Sequence, residues 1–187
     1  MAYLFWGFLF AFVNLKLRGE VLGGFFSSYS VGIVPDFVGF ILLWKGVSAL
    51  APESKVFKKL IPASIVLLFV SVAMYVTDFF KVFAKDNMLM FGVDIVYTAA
   101  KLFFCYFVIR AIGDMEIKRN AEFYSSKLFT AWVLVFVFNA WAMIPKPGIA
   151  LIGSLGIVVA TAMFLVRMWD SMKNYKDCLE KNGPVTE

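Results

Sequence analysis

Long apolar stretches dominate this chain and decide the solvent in which it can fold. A segment needs about 20 predominantly apolar residues to cross the roughly 30 Å of hydrocarbon in a bilayer. Segments that meet or approach this length are residues 31–50, 60–76, 88–112, 128–144 and 148–168. Hydrophobic residues make up 61% of the 187 residues and charged residues only 17%, a balance too apolar for a water-soluble globule. The sequence therefore predicts an all-α integral membrane protein.

The first apolar segment, residues 2–15, is shorter than the others and ends at Asn14 and Lys16. No basic residue precedes it and no small-residue cleavage site follows it, so we interpret it as a membrane helix and not a signal peptide. The prediction is a single bundle of six transmembrane helices over residues 1–172, followed by a short polar cytoplasmic tail, 173–187. The number of spans falls to five if the first segment is re-entrant or lies in the membrane interface.

A faint internal repeat favours three helical hairpins. The segments that begin at Lys59 and Lys127 share a Lys-Leu-x-x-Ala start, which sets Ser71 opposite Asn139 and brings Asn14 of the first segment into register.

The basic residues predict an orientation. They cluster in residues 55–59, 110–127 and 167–181, and such clusters are typical of cytoplasmic connections. We expect both termini on the cytoplasmic side of a cell membrane, although Lys16 and Arg18 would then lie outside.

Several function classes are disfavoured by what the chain lacks. It has no histidine, the commonest general base and metal ligand, and no C-x-x-C or phosphate-loop motif. Cys105 lies within an apolar segment and Cys178 in the polar tail, so no redox pair is expected. Since these residues and motifs are missing, we expect no cofactor and no metal. We also expect no nucleic acid as a partner, since basic residues do not alternate with aromatics outside the spans. An enzyme remains only as an alternative in which Asp36 and Asp94 act as acid and base.

Polar residues line one face of the fourth span. Asp94, Thr98, Lys101 and Cys105 are separated by steps of four, three and four residues, which place them on one side of a helix. A charge at this depth costs at least about 2.5 to 3.5 kcal/mol. We therefore expect Lys101 to pair with Asp94 or Asp36, to be hydrated by a cavity, or to be neutral. Asp36 could instead lie in the first turn of its helix, where the helix dipole favours an acid, and face outer water.

The predicted binding residues are Asp36, Asp94, Lys101, Asn14 and Asn139. In this topology the acids and amides occupy the outer halves of four helices, with the lysine deeper. The arrangement favours a transport-related protein that binds a small polar or cationic solute, or a coupling ion, in an outward-facing polar cavity. A partner subunit or a homo-oligomer would be compatible with it. The alternative is a non-transporting assembly, sensor or immunity-type membrane protein whose interior charges are structural.

Small residues predict close helix contacts. Gly32, Gly39 and Gly46 recur at intervals of seven, which is about two helical turns, so they form a bare stripe against which a neighbouring helix can pack. Gly156 and Ala160 form a similar pair, suited to helix packing or to an oligomer contact.

Two resemblances accompany these patterns. The segment IVPDFVGFILLWKGVSAL resembles the Pro-Asp-x-x-Gly-aromatic segment of uncharacterised small multi-pass membrane proteins of Gram-positive bacteria, which implies a bacterial cytoplasmic membrane and no activity. Six spans and a long first outer loop are similar to the substrate-binding membrane subunits of energy-coupling-factor vitamin transporters. Their alanine-rich contact motif is not evident here, where Gly7 and Ala11 stand in the first segment.

Overall fold

The computed structural model describes residues 1–12, 35–80, 88–142, 144 and 147–183, and in these ranges it contains helices and no strands. The helices are α1 (Ala2–Phe12), α2 (Asp36–Leu50), α3 (Lys55–Phe80), α4 (Met88–Arg119), α5 (Ser125–Ala142) and α6 (Pro147–Asn182). The predicted all-α class is confirmed. Asn14 and Gly32, both singled out from the sequence, lie outside the described residues.

Four of the helices, α3 to α6, are long and apolar enough to cross a membrane. They indicate a membrane protein. Helix α1 has 11 residues and α2 has 15 within the described ranges, less than the roughly 20 residues of a full span. A bundle of six spans therefore stays a prediction.

Local sequence explains where the helices begin and end. The Ser54 hydroxyl accepts a hydrogen bond from the Val56 N–H at 3.1 Å and so caps the start of α3. Asn120, with a φ of 47°, ends α4, and the Ala121 N–H bonds back to the Glu116 carbonyl at 3.2 Å. Gly183, with a φ of 72°, ends α6 in the same left-handed conformation.

The helices follow one another around a ring. In the described ranges each helix packs against the next one in the chain, α1 packs against α6, and no other pair of helices is in close backbone contact. Aromatic rings from α1 and α6 close the ring, with the Phe8 and Phe164 centroids 5.4 Å apart. Side chains of α2 and α4 can therefore meet only across the interior, and that is where the candidate site lies.

Glycines bring α1 and α2 into backbone contact. A Cβ added to Gly39 would lie 2.7 Å from the Ala11 nitrogen and 2.9 Å from the Gly7 oxygen. A Cβ on Gly46 would lie 2.9 Å from the Leu4 nitrogen. The predicted packing stripe is confirmed at Gly39 and Gly46, with α1 as the helix that covers it.

Helix α6 extends well beyond its apolar part. Its 36 residues span about 54 Å, compared with about 30 Å of hydrocarbon. The segment predicted as a polar tail from residue 173 continues this helix as far as Asn182. Within this last part of the helix, Cys178 is buried against the rest of the molecule. The sequence pattern missed this because its charged residues occupy only the outer face of the helix.

Candidate functional site

An ion pair joins α2 and α4 across the interior of the ring. The ammonium Nζ of Lys101 lies 3.6 Å from Oδ2 of Asp36, and the two side chains are only 19% and 16% exposed. Asp36 is the first residue of α2 and follows Pro35, whose extended conformation directs the chain into the helix. The prediction that Lys101 pairs with Asp36 or Asp94 is confirmed, and the partner is Asp36.

The same ammonium group lies against an aromatic ring. Tyr97 is four residues before Lys101 on α4, and Nζ lies 4.5 Å from the centroid of its ring. The Phe40 ring of α2 is 6.3 Å from that of Tyr97. A carboxylate and the face of an aromatic ring both attract organic cations in proteins. Here both groups already contact the Lys101 ammonium.

Next to this pair lie buried hydroxyl groups that lack a well-formed hydrogen bond. They belong to Tyr97 of α4 and Ser71 of α3. Asp36 and Ser71 are the polar groups close enough to influence the Tyr97 hydroxyl. A buried hydroxyl without a partner costs about 1 to 3 kcal/mol, so a water, an ion or a polar ligand that reaches these oxygens would lower the free energy of the site.

The space beside the pair is small and apolar. A cavity of about 10 Å³, close to the volume that holds one water, touches Lys101. Its other lining residues are apolar and come from α1, α2 and α4: Phe8, Ala11, Phe12, Phe40, Leu43 and Phe104. In this conformation the cavity has no room for a solute larger than water.

Asp94 and Asn139, the other predicted site residues that the structure describes, do not join this pair. Asp94 is exposed on the first turns of α4. The side-chain amide of Asn139 donates a hydrogen bond at 2.8 Å to the Val135 carbonyl of its own helix, α5, which packs against α4 and α6 and not against α2. Asn14 lies outside the described residues. Of the five predicted residues, the structure brings together Asp36 and Lys101.

A second polar cluster lies at the other end of α2 and was not predicted. Glu53, in the turn between α2 and α3, accepts hydrogen bonds from Arg119 at the end of α4, with Nε of Arg119 2.9 Å from Oε2. The Tyr175 hydroxyl of α6 donates to Oε1 of the same carboxylate at 3.0 Å. The Glu53 and Arg119 side chains are 8% and 5% exposed. This cluster binds the ends of three elements together.

Charge and burial act in opposite directions on Glu53. Burial alone would raise the pKa of the carboxyl group, but the hydrogen bonds from Arg119 and Tyr175 and the positive charge of Arg119 and Lys118 lower it. The net result is a pKa below the ordinary value of 4.5, so Glu53 is ionised at neutral pH.

Two further acids at the same end of the molecule, Asp114 and Glu116, accept hydrogen bonds from neighbouring elements. Asp114 of α4 accepts a hydrogen bond from the Ser54 hydroxyl at 3.1 Å. The Glu116 carboxylate accepts hydrogen bonds from the backbone N–H groups of Phe123 and Ser125, at 2.7 and 2.9 Å, and from the Ser125 hydroxyl. Glu116 thereby caps the start of α5. These hydrogen bonds link the turn before α3 to α4, and the end of α4 to the start of α5.

The sequence contained partial signals for the missed residues. Tyr97 is one helical turn before Lys101, so an aromatic contact with the lysine was predictable from spacing. Glu53 is the one acid among the lysines of the 45–59 segment, but nothing in the sequence identifies Arg119 or Tyr175 as its partners. Those contacts depend on how α4 and α6 pack.

Comparisons with known proteins do not assign the chain to a family: no family model, curated protein or solved structure matches it. In the part of the chain that the structure describes, no group of three or more His, Cys, Asp or Glu side chains could hold a metal ion. Function must therefore be inferred from the Asp36–Lys101 site itself.

Proposed function

We propose that this membrane protein is transport-related and binds a small cation, or a small polar solute with a cationic group, at the Asp36–Lys101 pair. The observation that carries the proposal is the pair itself, largely buried between α2 and α4. A bundle held only by apolar packing would avoid the desolvation of two charges, whereas a site for ions needs them.

The chemistry around the pair suggests how a cation would bind. The Lys101 ammonium occupies the position that a carboxylate and the Tyr97 ring create for a positive charge. An incoming cation would compete with Lys101 for Asp36, and the hydroxyl groups of Tyr97 and Ser71 would supply further oxygen ligands. Displacement of the lysine would also free space next to the small cavity that Lys101 lines.

The remaining features of the proposal come from the sequence. They are six transmembrane spans, both termini in the cytoplasm, and a location in a bacterial cell membrane. Because the sequence contains no nucleotide-binding motif, the energy for transport would come from a coupling ion that binds at this site or from a partner subunit. A homo-oligomer is compatible with the same site.

The test combines binding with stability. In purified protein we expect sodium, potassium or primary alkylammonium chlorides to raise the unfolding temperature of the parent protein. Lys101→Met combined with Asp36→Asn should fold as stably as the parent, because no uncompensated buried charge remains, but should lose the response to these salts. The matched control is Lys45→Met combined with Asp94→Asn, which removes the same charges from exposed positions and should keep the response.

The opposite results would reject the proposal. They are a parent protein that responds to none of these cations, or a double variant that responds as the parent does.

A specific observation favours the second candidate, a non-transporting membrane protein whose interior charges hold its helices together. The cavity beside Lys101 is about the size of one water, and its other lining side chains are apolar. In that case Lys101→Met alone should lose stability, the double variant with Asp36→Asn should recover most of it, and no cation should bind.

A further inference from the structure

One face of α3 changes from apolar to basic along its length. Its exposed apolar side chains recur every three or four residues, as expected for a helix face in lipid. Lys59 and Lys55 continue the same series towards the start of the helix, and the exposed members are Lys55, Lys59, Pro62, Val66, Phe69, Ala73 and Val76. Lys59 therefore lies where this face changes from apolar to basic.

The neighbouring helix α4 shows the same change. Phe103 and Phe107 are 59% and 42% exposed, and Arg110 follows on the same face three residues later. Like Lys59, it is exposed at the end of a lipid-facing apolar stripe.

These two basic residues lie at the same depth. The hydrogen bond from Ser54 to Asp114 sets the start of α3 beside the end of α4. Lys59 is five residues from Ser54 and Arg110 is four residues from Asp114, which correspond to rises of about 7.5 Å and about 6 Å in the same direction. Since α3 and α4 pack together, the cations stand on adjacent helices at one level.

Acids in this region are engaged elsewhere and leave the two cations unpaired. Glu53 binds Arg119, Asp114 accepts from Ser54, Glu116 caps α5, and Asp170 pairs with Arg167. Within the described residues, Lys59 and Arg110 take part in no salt bridge or side-chain hydrogen bond. Their charge is available to a partner outside the bundle.

We infer that Lys59 and Arg110 form a binding site for the phosphate of an anionic phospholipid headgroup, in the leaflet at this end of the molecule. A free anion has no need of the apolar stripes that lead to the two cations, whereas a phospholipid would lay its acyl chains along residues such as Val66 and Phe107. Arginine and lysine are suited to phosphate oxygens, and the attraction is strongest close to the membrane surface. This site is independent of the Asp36–Lys101 pair.

The experiment measures lipid binding to the purified full-length chain in neutral detergent, by native mass spectrometry. The probes are dioleoylphosphatidylglycerol and dioleoylphosphatidylcholine, with inorganic phosphate as a competitor. We expect the parent to bind the phosphatidylglycerol more tightly, and Lys59→Gln combined with Arg110→Gln to weaken that binding at least about tenfold. Because both side chains are exposed, the variant should keep the melting temperature of the parent when no lipid is added.

The control, Lys176→Gln combined with Lys181→Gln, removes the same charge from exposed positions near the end of α6 and should bind lipid as the parent does. An equal loss in this control would mean that only net charge matters and would overturn the site. Unchanged binding in the Lys59 and Arg110 variant would overturn it as well. Displacement of the lipid by millimolar inorganic phosphate would show a free-anion site instead.

Discussion

At the scale of single residues, the two interior ion pairs have different geometries and should behave differently. Lys101 and Asp36 make a long contact beside hydroxyls that lack a well-formed hydrogen bond, whereas Arg119 binds both carboxylate oxygens of Glu53 and Tyr175 adds a third hydrogen bond. A fully hydrogen-bonded buried pair is costly to break from one side. This difference assigns the structural role to the Glu53 cluster.

Arg119→Met should therefore destabilise the protein by about 3 to 5 kcal/mol, because it leaves the Glu53 carboxylate buried without its partner. Adding Glu53→Gln should recover much of this loss. The free energy of unfolding, measured by denaturant titration in detergent, gives both values. Arg167→Met is the control: its ion pair with Asp170 is largely exposed, so its loss should cost less than about 1 kcal/mol.

The pH dependence provides a check on the same pair. The folded-state pKa of Glu53 is below its ordinary 4.5, so its contribution to stability is complete above that value. The contribution is lost as the pH falls through the lower folded-state pKa. If the parent and Glu53→Gln lose stability identically below pH 4.5, the pair does not act as described.

At the scale of elements, the contact between α1 and α2 depends on glycine. Gly39→Ala would place a methyl group 2.7 Å from a backbone nitrogen of α1, and backbone cannot move aside as a flexible side chain can. We expect a loss of about 1 to 3 kcal/mol from overpacking, and more for Gly39→Leu. The measurement is the free energy of unfolding in detergent.

Gly92 in α4 is the matched control for this change. A Cβ there would meet nothing within 4 Å, so Gly92→Ala should stabilise the helix by roughly 0.5 to 1 kcal/mol. If Gly39→Ala raised the free energy of unfolding as Gly92→Ala is expected to do, α1 would not cover Gly39.

At the scale of the whole molecule, the Glu53 cluster brings the three basic segments to one end. It joins the turn before α3, the end of α4 and the last turns of α6. The positive-inside rule predicts that this end faces the cytoplasm.

Cysteine labelling in intact cells tests this orientation. In a background with Cys105 and Cys178 replaced by alanine, a cysteine at the exposed Ser126 should resist a membrane-impermeant thiol reagent. A cysteine at Asn87, between α3 and α4, should react. Reaction at Ser126 with protection at Asn87 would invert the topology.

Much of this molecule follows from the sequence by itself. The apolar runs predict the helices, because in lipid the backbone must bond within its own segment. The spacing of Gly39 and Gly46 predicts a close helix contact, and the depth of Lys101 predicts a partner, since an isolated charge there is too costly. Each of these conclusions rests on local spacing along one helix.

The tertiary structure alone decided which residues meet. Asp36 and Asp94 were equal candidates for Lys101 until the ring of helices placed α2 across from it and left Asp94 exposed. The partners of Glu53 are 66 and 122 residues away along the chain, and Cys178 is buried because α6 continues past the apolar segment. Periodicity indicates which face of a helix is covered, but the identity of the covering helix depends on the packing of the whole bundle.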